Sequence, residues 1–242
     1  MQAINGRLAR LVALAFLPAA VSCADVVYDN TQHTTLDAKG NGMFYRFSHE
    51  YGDDINLAPG YREVSRMTFE YFGDFDPSKV ANASLTLRVY ANDGVRALSN
   101  VTTSQMPSTL LWESDKTPLL PGYSIVSLDL PNVTVPDRFT WSVQFNGVTG
   151  AVGNSAGLIL ADPATIGAPL ANGRFGSYWD AWVKSDPNKA DSWSLINFGV
   201  GANDPKANFY VRVEAVPEPG VWTLLACGAG LLLAAGRRRS SR

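Results

Sequence analysis

The fold is decided by one stretch of the sequence, which reads Phe139-Thr140-Trp141-Ser142-Val143-Gln144-Phe145. Large apolar side chains alternate there with smaller polar ones, and this period of two is typical of a half-buried β-strand. The alternation predicts that the four apolar side chains point into a core. It also predicts that Thr140, Ser142 and Gln144 face solvent.

The same alternation recurs on both sides of this stretch. Three further runs cover residues 64–71, 85–90 and 209–214, and weaker strands are predicted at 25–28, 43–47, 124–128, 157–160 and 177–182. The first two of these runs place Met67, Phe69 and Tyr71, and Leu85, Leu87 and Val89, on inward faces. Turn dipeptides such as Asn41-Gly42 and Asn146-Gly147 separate the runs. We therefore predict an all-β fold, a single antiparallel β-sandwich of the jelly-roll type, over residues 25–215.

Composition and charge narrow the class of protein. The chain has 242 residues, of which 46% are hydrophobic, which is enough to bury a core without disulfides. Residues 25–215 carry 14 Lys and Arg against 21 Asp and Glu, a net charge of −7. Nucleic acid is not expected as a partner, because phosphate binding needs clustered basic residues. Both cysteines, Cys23 and Cys227, lie outside this range, which excludes cysteine-based zinc sites and nucleophiles from it.

Residues 1–24 have the pattern of a secretory signal peptide. Arg7 and Arg10 precede an apolar run over residues 11–21, and small residues stand at Ser22 and Ala24. This pattern predicts cleavage after Ala24 and export of the rest of the chain. A lipoprotein signal with Cys23 as the acylated residue is the alternative.

Residues 216–242 have the pattern of a second targeting signal, which consists of three parts. The motif Pro217-Glu218-Pro219 is followed by an apolar stretch over residues 221–236 and then by Arg237, Arg238 and Arg239. The stretch corresponds to about 24 Å of helix, near the lower limit for spanning a bilayer. We predict a single transmembrane helix there, with the Arg-rich tail in the cytoplasm and the body outside. A plain tail anchor that stays uncleaved is the alternative.

This three-part end resembles the PEP-CTERM sorting signal of Gram-negative, biofilm-forming bacteria. The resemblance implies an exosortase-type sorting protease as partner, acting on an inner-membrane-anchored precursor near Pro217-Glu218-Pro219. It also implies delivery of the body to the cell surface or the exopolysaccharide matrix. The body itself is similar to a recurring group of PEP-CTERM proteins without assigned activity, over residues 27–30, 69–72, 87–94 and 133–141.

Candidate catalytic groups are carboxylates and two histidines. The acids considered are Asp53, Asp54, Glu70, Asp74, Asp76 and Glu113. In an extended chain Asp53 and Asp54 would point to opposite faces, and Asp74-Phe75-Asp76-Pro77 is typical of a turn. His33 and His49 have no zinc-site spacing, and no Gly-x-Ser-x-Gly elbow occurs. We therefore expect that the chain has no catalytic residues and is not an enzyme. An extracellular hydrolase is the least favoured of three hypotheses about its function.

Calcium is the one cofactor that the sequence leaves open. Oxygen ligands from the loops at 53–54, 74–76, 92–93 and 203–204 would have to converge, because Ca²⁺ takes six to eight of them. No EF-hand pattern is present. The expectation is therefore no cofactor and no metal site.

The best ligand candidate is Tyr178-Trp179-Asp180-Ala181-Trp182. In a strand Tyr178, Asp180 and Trp182 share one face, which could stack on a sugar ring and accept its hydroxyl hydrogen bonds. Core aromatics give the same pattern. The leading hypothesis is thus a non-enzymatic exported surface or matrix protein, adhesive or structural, and the alternative is a carbohydrate-binding module for exopolysaccharide.

Overall fold

The computed structural model describes residues 23–32, 34–36, 41–46, 50–95, 105–167, 180–186, 188–197 and 207–217. The regular structure of these residues consists of strands. The strands are β1 (Asp25–Asp29), β2 (Phe44–Arg46), β3 (Glu50–Asn56), β4 (Tyr61–Phe75), β5 (Ser84–Ala91), β6 (Leu110–Glu113), β7 (Thr117–Pro118), β8 (Gly122–Thr134), β9 (Arg138–Asn146), β10 (Asn154–Ile159), β11 (Asp180–Lys184), β12 (Trp193–Asn197) and β13 (Val211–Pro217).

In this part of the chain no helix has the length and apolar character needed to cross a membrane. The predicted transmembrane helix at 221–236 and residues 1–22 of the predicted signal peptide lie outside the described residues.

The first sheet is organised around the long strand β4. Strand β8 pairs with one edge of β4, while β13 and β10 pair in succession with the other edge. Strand β1 pairs with β13, and β2 pairs with β10. All of these pairings are antiparallel, as predicted.

The second sheet has the strand order β12-β11-β3-β9-β5-β6, and β7 also pairs with β5. Its pairings are antiparallel as well. Strand β9, which contains the stretch that predicted the fold, lies in the middle of this sheet between β3 and β5.

The two sheets face each other across one apolar core. Ring centroids lie 5.9 Å apart for Phe69 and Trp141 and 6.0 Å apart for Tyr71 and Phe145. The side chains predicted to point inward from these strands are buried in the core. The prediction of an all-β fold built from two antiparallel sheets, in a sandwich-like arrangement, is confirmed.

One expectation about the second sheet is wrong. Thr140 and Ser142 do not face solvent: both are 0% exposed. Strand β9 is a central strand, and Thr140 and Ser142 are buried on its second face with hydrogen-bond partners, whereas Gln144 is partly exposed. Sequence alternation also missed β3, β6, β7 and β12, and it placed β11 at 177–182 rather than Asp180–Lys184.

Both ends of the predicted body lie next to each other. Ala24 directly precedes β1, and Pro217 is the last residue of β13. These strands pair antiparallel, with Asp25 opposite Ala215. The rest of the predicted sorting motif, namely Glu218, Pro219, Arg237, Arg238 and Arg239, lies outside the described residues.

Candidate functional site

The structure describes only part of the aromatic stretch at residues 178–182, which is the ligand site that the sequence favours. Asp180 and Trp182 lie on β11 and share a face, as predicted, but their exposed fractions are 2% and 0%. The Trp182 ring packs with Tyr90 and Trp193 in a small second cluster. Tyr178 lies outside the described residues. In this structure the Trp182 ring therefore presents no open face to a sugar.

Asp53 and Asp54 point to opposite faces of β3, as an extended chain requires. On the outer face, the Nε of Arg138 donates to Asp54 Oδ2 over 2.8 Å. Asp53 points into the interior, where the backbone N–H of Phe209 donates to it. Burial, followed by the charges of Asp54 and Asp180, raises the pKa of the Asp53 carboxyl well above its usual value.

Three further candidate acids, Asp74, Asp76 and Glu113, are engaged in separate places. Asp76 caps a turn, where its Oδ1 accepts from the Ser78 backbone N–H and hydroxyl over 2.9 and 2.7 Å. Asp74 lies in β4 and accepts from the Gly153 N–H over 2.9 Å. Glu113 forms an ion pair with Arg88.

Within the described ranges, no group of three His, Cys, Asp or Glu side chains could hold a metal ion. His33, His49, Asn203 and Asp204 lie outside those ranges.

The strongest polar arrangement is one that sequence reasoning missed, and we call it the Glu50 cluster: Glu50, Arg88, Tyr90, Ser142 and Lys184. Glu50 is 0% exposed. Its Oε1 accepts from the hydroxyls of Ser142 and Tyr90 over 2.6 and 2.9 Å, and its Oε2 accepts from Arg88 Nη1 over 2.7 Å. Lys184 Nζ lies 3.8 Å from the same Oε2.

Strand register brings these five side chains together. Glu50 lies opposite Lys184, and Arg88 lies opposite Ser142, so β11, β3, β9 and β5 each contribute to the outer face of the second sheet. Gly52 lies between Ser142 and Trp182 in the same register. A Cβ at Gly52 would overlap the Trp141 carbonyl oxygen and lie 2.5 Å from Ser142 Cα, so only glycine allows β3 and β9 to approach this closely.

Aromatic rings flank the Lys184 ammonium group of the Glu50 cluster. Lys184 Nζ lies 5.6 Å from the Tyr90 ring centroid and 5.3 Å from that of Trp193, within cation–π range. Burial, followed by the charge of Glu50, raises the pKa of Tyr90, which keeps the phenol protonated and donating.

A cavity of about 290 Å³ adjoins the cluster beside Arg88, Tyr90 and Lys184. The Glu50 carboxylate itself is buried and accepts hydrogen bonds from three neighbouring side chains. The cluster therefore links four strands of the second sheet.

A second and larger cavity, of about 530 Å³, opens at one end of the sandwich, and we call it the end cavity. It is lined by Arg62, Ala91, Asn92, Asp93, Gln105, Pro136, Asp137 and Arg138. These residues come from the start of β4, the end of β5 and the two residues after it, the segment before β6, and the loop and first residue of β9. Its volume is in the range of about 300–1,000 Å³ that is typical of ligand pockets.

The charged side chains of the end cavity are held in fixed pairs. Arg62 forms an ion pair with Asp137, and Arg138 forms one with Asp54. Asp93 accepts from the backbone N–H and hydroxyl of Thr109 over 2.9 and 2.6 Å, and these hydrogen bonds lower its pKa.

The amide of Asn92 is also held in one orientation. The Thr140 hydroxyl donates to Asn92 Oδ1 over 2.7 Å, while the buried Nδ2 has no hydrogen-bond partner among the residues that the structure describes.

The sequence alone indicates little of the Glu50 cluster or of the end cavity. The sequence predicts a loop at residues 92–93, and the structure places this loop at the end cavity. The partners Arg62 and Arg138 come from distant strands, and nothing in their local sequence marks them. No family model, no curated protein and no solved structure matches this chain, so the assignment of function relies on its own residues.

Proposed function

We propose that this chain is a non-enzymatic exported protein of the cell surface or exopolysaccharide matrix of a Gram-negative bacterium. A signal peptide over residues 1–24 directs export. A helix over residues 221–236 holds the precursor in the inner membrane until an exosortase-type protease acts near Pro217-Glu218-Pro219. The observation that carries this proposal is the three-part end of the sequence: the motif, the short apolar stretch and the Arg cluster.

The end of the folded body supports this processing scheme. Strand β13 pairs with β4 on one side and β1 on the other, and it ends at Pro217, where the motif begins. Cleavage just beyond Pro217 leaves every described strand intact. The released body is then a jelly-roll-like sandwich with both ends on one side.

Two structural features support a structural or adhesive role for the body. The candidate acids Asp53, Asp54, Asp76 and Glu113 are held in four different interactions and do not form a facing pair. In the described part of the chain β8 pairs only with β4, and it exposes Tyr123 and Ile125 at 49% and 62%. An exposed strand of this kind can make contacts with neighbouring molecules.

Exopolysaccharide binding is the second candidate function. The polar lining of the end cavity favours it, because paired carboxylate, guanidinium and amide groups suit a ligand rich in hydroxyl groups.

Fractionation of the native host tests the proposed sorting. The wild-type chain is expected in the outer-surface and matrix fraction, and Glu218→Ala is expected to accumulate in the inner membrane. Glu214→Ala is the matched control, because it removes an acid from β13 and leaves the motif intact. If the wild type stays in the inner membrane, or if Glu218→Ala reaches the matrix normally, the proposed sorting is wrong.

A further inference from the structure

Strand β8 leaves one of its two edges open. It pairs with β4 along one edge, and in the described part of the chain no strand pairs with the other. The other described strands with a single partner are β1, β2, β6, β7 and β12, which have two to five residues each, whereas β8 has 13. Short edge strands resist pairing with other chains, so β8 is the edge at which this fold can extend a sheet.

The first part of β8 lacks the features that usually protect an edge strand. Residues 122–128 contain no charged residue and no proline. Their ladder with β4 is regular, and its register shifts only further along, between Asp129 and Val133. Protected edges carry lysines, prolines, inward-pointing charges or bulges. Residues 122–128 can therefore accept a further strand.

Side chains on both faces of β8 are incompletely covered. Val126 and Leu128 pack against the core but are only partly buried, whereas Phe69 and Met67, which lie opposite them on β4, are fully buried. On the outer face, Ile125 is 62% exposed. A strand added beside β8 would cover both faces, and main-chain hydrogen bonds would hold it in place.

The sequence of β8 is complementary to itself in an antiparallel pair. With a two-fold axis at Val126, Ile125 lies opposite the partner's Ser127, and Tyr123 lies opposite the partner's Asp129. Residues on the outer face of one copy then meet residues on the outer face of the other. The same alternation brings together the partly buried side chains on the inner faces.

The charges of β8 are compatible with this pairing. Asp129 is the one charged residue between positions 122 and 130, and Arg66 Nε of the same copy donates to it over 2.7 Å. The pairing places the two Asp129 side chains about 20 Å apart, since six residues of about 3.4 Å each separate them. No like charges lie directly opposite each other, and residues 122–128 offer no charge that would select a charged peptide instead.

We infer that two copies of this chain associate through antiparallel pairing of residues 122–129 of β8, which joins their first sheets into one continuous sheet. Two-fold pairing uses the open edge of each copy, so the assembly closes as a dimer. The dimer supplies a partner for the structural role of the body, and that role rests on the proposed function. The pairing itself requires no export.

Light scattering of the purified full-length chain in detergent tests this dimer, because it separates protein mass from detergent mass. The wild type is expected at twice the chain mass, with a Kd of about 10 μM or tighter. Ile125→Lys/Ser127→Lys is expected at the mass of one chain, because each new lysine lies directly opposite a lysine of the second copy. The fold tolerates the change at Ile125, since Glu70 lies opposite it on β4.

Val95→Lys/Val152→Lys is the matched control. It adds the same two positive charges at side chains that are 80% and 82% exposed and lie outside β8, and it is expected to stay dimeric. A monomeric wild type at about 100 μM or a wild type larger than a dimer overturns the inference. A dimeric β8 variant or a monomeric control overturns it as well. Association through residues 1–22 or 218–242 would persist in the β8 variant and would count against the inference.

Hydrogen exchange of the wild type locates the interface without any variant. Amides of β8 that point away from β4 are expected to exchange more slowly above the Kd than below it. If the wild type dimerises while exchange within residues 122–129 is the same at both concentrations, the interface lies elsewhere and the inference is wrong. Fractionation measures sorting separately, so a sorted monomer refutes only the dimer, and a dimer that stays in the inner membrane refutes only the sorting.

Discussion

Asp25, the first residue of β1, lies opposite Ala215, two residues before the end of β13. Tyr61 reinforces this junction, because its hydroxyl donates to Asp25 Oδ2 over 2.8 Å and its backbone lies opposite Pro217. The two ends of the body are thus joined through paired strands. Processing at either terminus has to stop short of these strands if the body is to stay folded.

Truncation tests where the folded body ends. A chain covering residues 25–217 is expected to fold, whereas one ending at Tyr210 loses β13 and is expected to stay unfolded. Val211 and Val213 are fully buried, and burying two such side chains contributes about 3–6 kcal/mol, comparable to the whole stability of many domains. Circular dichroism with thermal melting measures the difference. A cooperative melt of the shorter chain would contradict this role for β13.

The buried carboxylate of Glu50 gives a prediction about stability. Glu50→Gln keeps the side-chain shape and leaves Arg88 and Lys184 without their buried counter-charge. Removing one partner of such an ion pair costs about 3–5 kcal/mol. Urea unfolding should therefore show a large fall in the free energy of unfolding.

Glu113→Gln is the matched control for Glu50→Gln. Glu113 pairs with the same Arg88, but its side chain is 44% exposed. Exposed pairs contribute about 1 kcal/mol or less. Equal losses in the two variants would show that burial of Glu50 does not set the strength of this cluster.

Adjacent aspartates are expected to have opposite effects on stability. The raised pKa of Asp53 means that the folded chain holds a proton there at pH values where the unfolded chain has lost it. Its stabilising contribution is therefore complete below the unfolded value of about 3.8 and is lost as pH rises through the folded pKa. Asp53→Asn should raise the free energy of unfolding at neutral pH, with a gain that shrinks toward pH 4.

Asp54→Asn is the control for Asp53→Asn, and it should lower stability at neutral pH. It removes the charge that pairs with Arg138, whose side chain is only 16% exposed. Urea unfolding of both variants across pH 4–8 measures the two effects. A loss of stability at neutral pH in Asp53→Asn would contradict the unfavourable burial of that charge.

The local alternation of apolar and polar residues is enough to predict which face of each sheet packs in the core. It does not predict that the outer face of the second sheet is also buried around β9. The apolar side chains of Phe139, Trp141 and Val143 point inward as predicted, because burial of large apolar groups dominates a strand's orientation. The alternating pattern predicts that Thr140 and Ser142 face solvent, because it assumes that one face of the strand is exposed to water. In a central strand, polar residues can be buried on the second face if partners from other strands satisfy them.

The same reasoning explains which site residues were missed. Glu50 and Lys184 are 134 positions apart in sequence, and only the register of β3 with β11 brings them together. Strand β3 reads Glu50-Tyr51-Gly52-Asp53-Asp54-Ile55-Asn56, which looks like a polar loop. Its strand character comes from its position between β9 and β11. The prediction that Asp53 and Asp54 point to opposite faces of an extended chain is nevertheless confirmed.

The intact mass of the protein recovered from the outer surface and matrix of its native host tests the central claim most directly. The proposed processing predicts a body that starts at Asp25 and ends close to Pro217, without residues 221–242. A mass that retains residues 221–242 would contradict sorting by cleavage and would show a permanent membrane anchor instead.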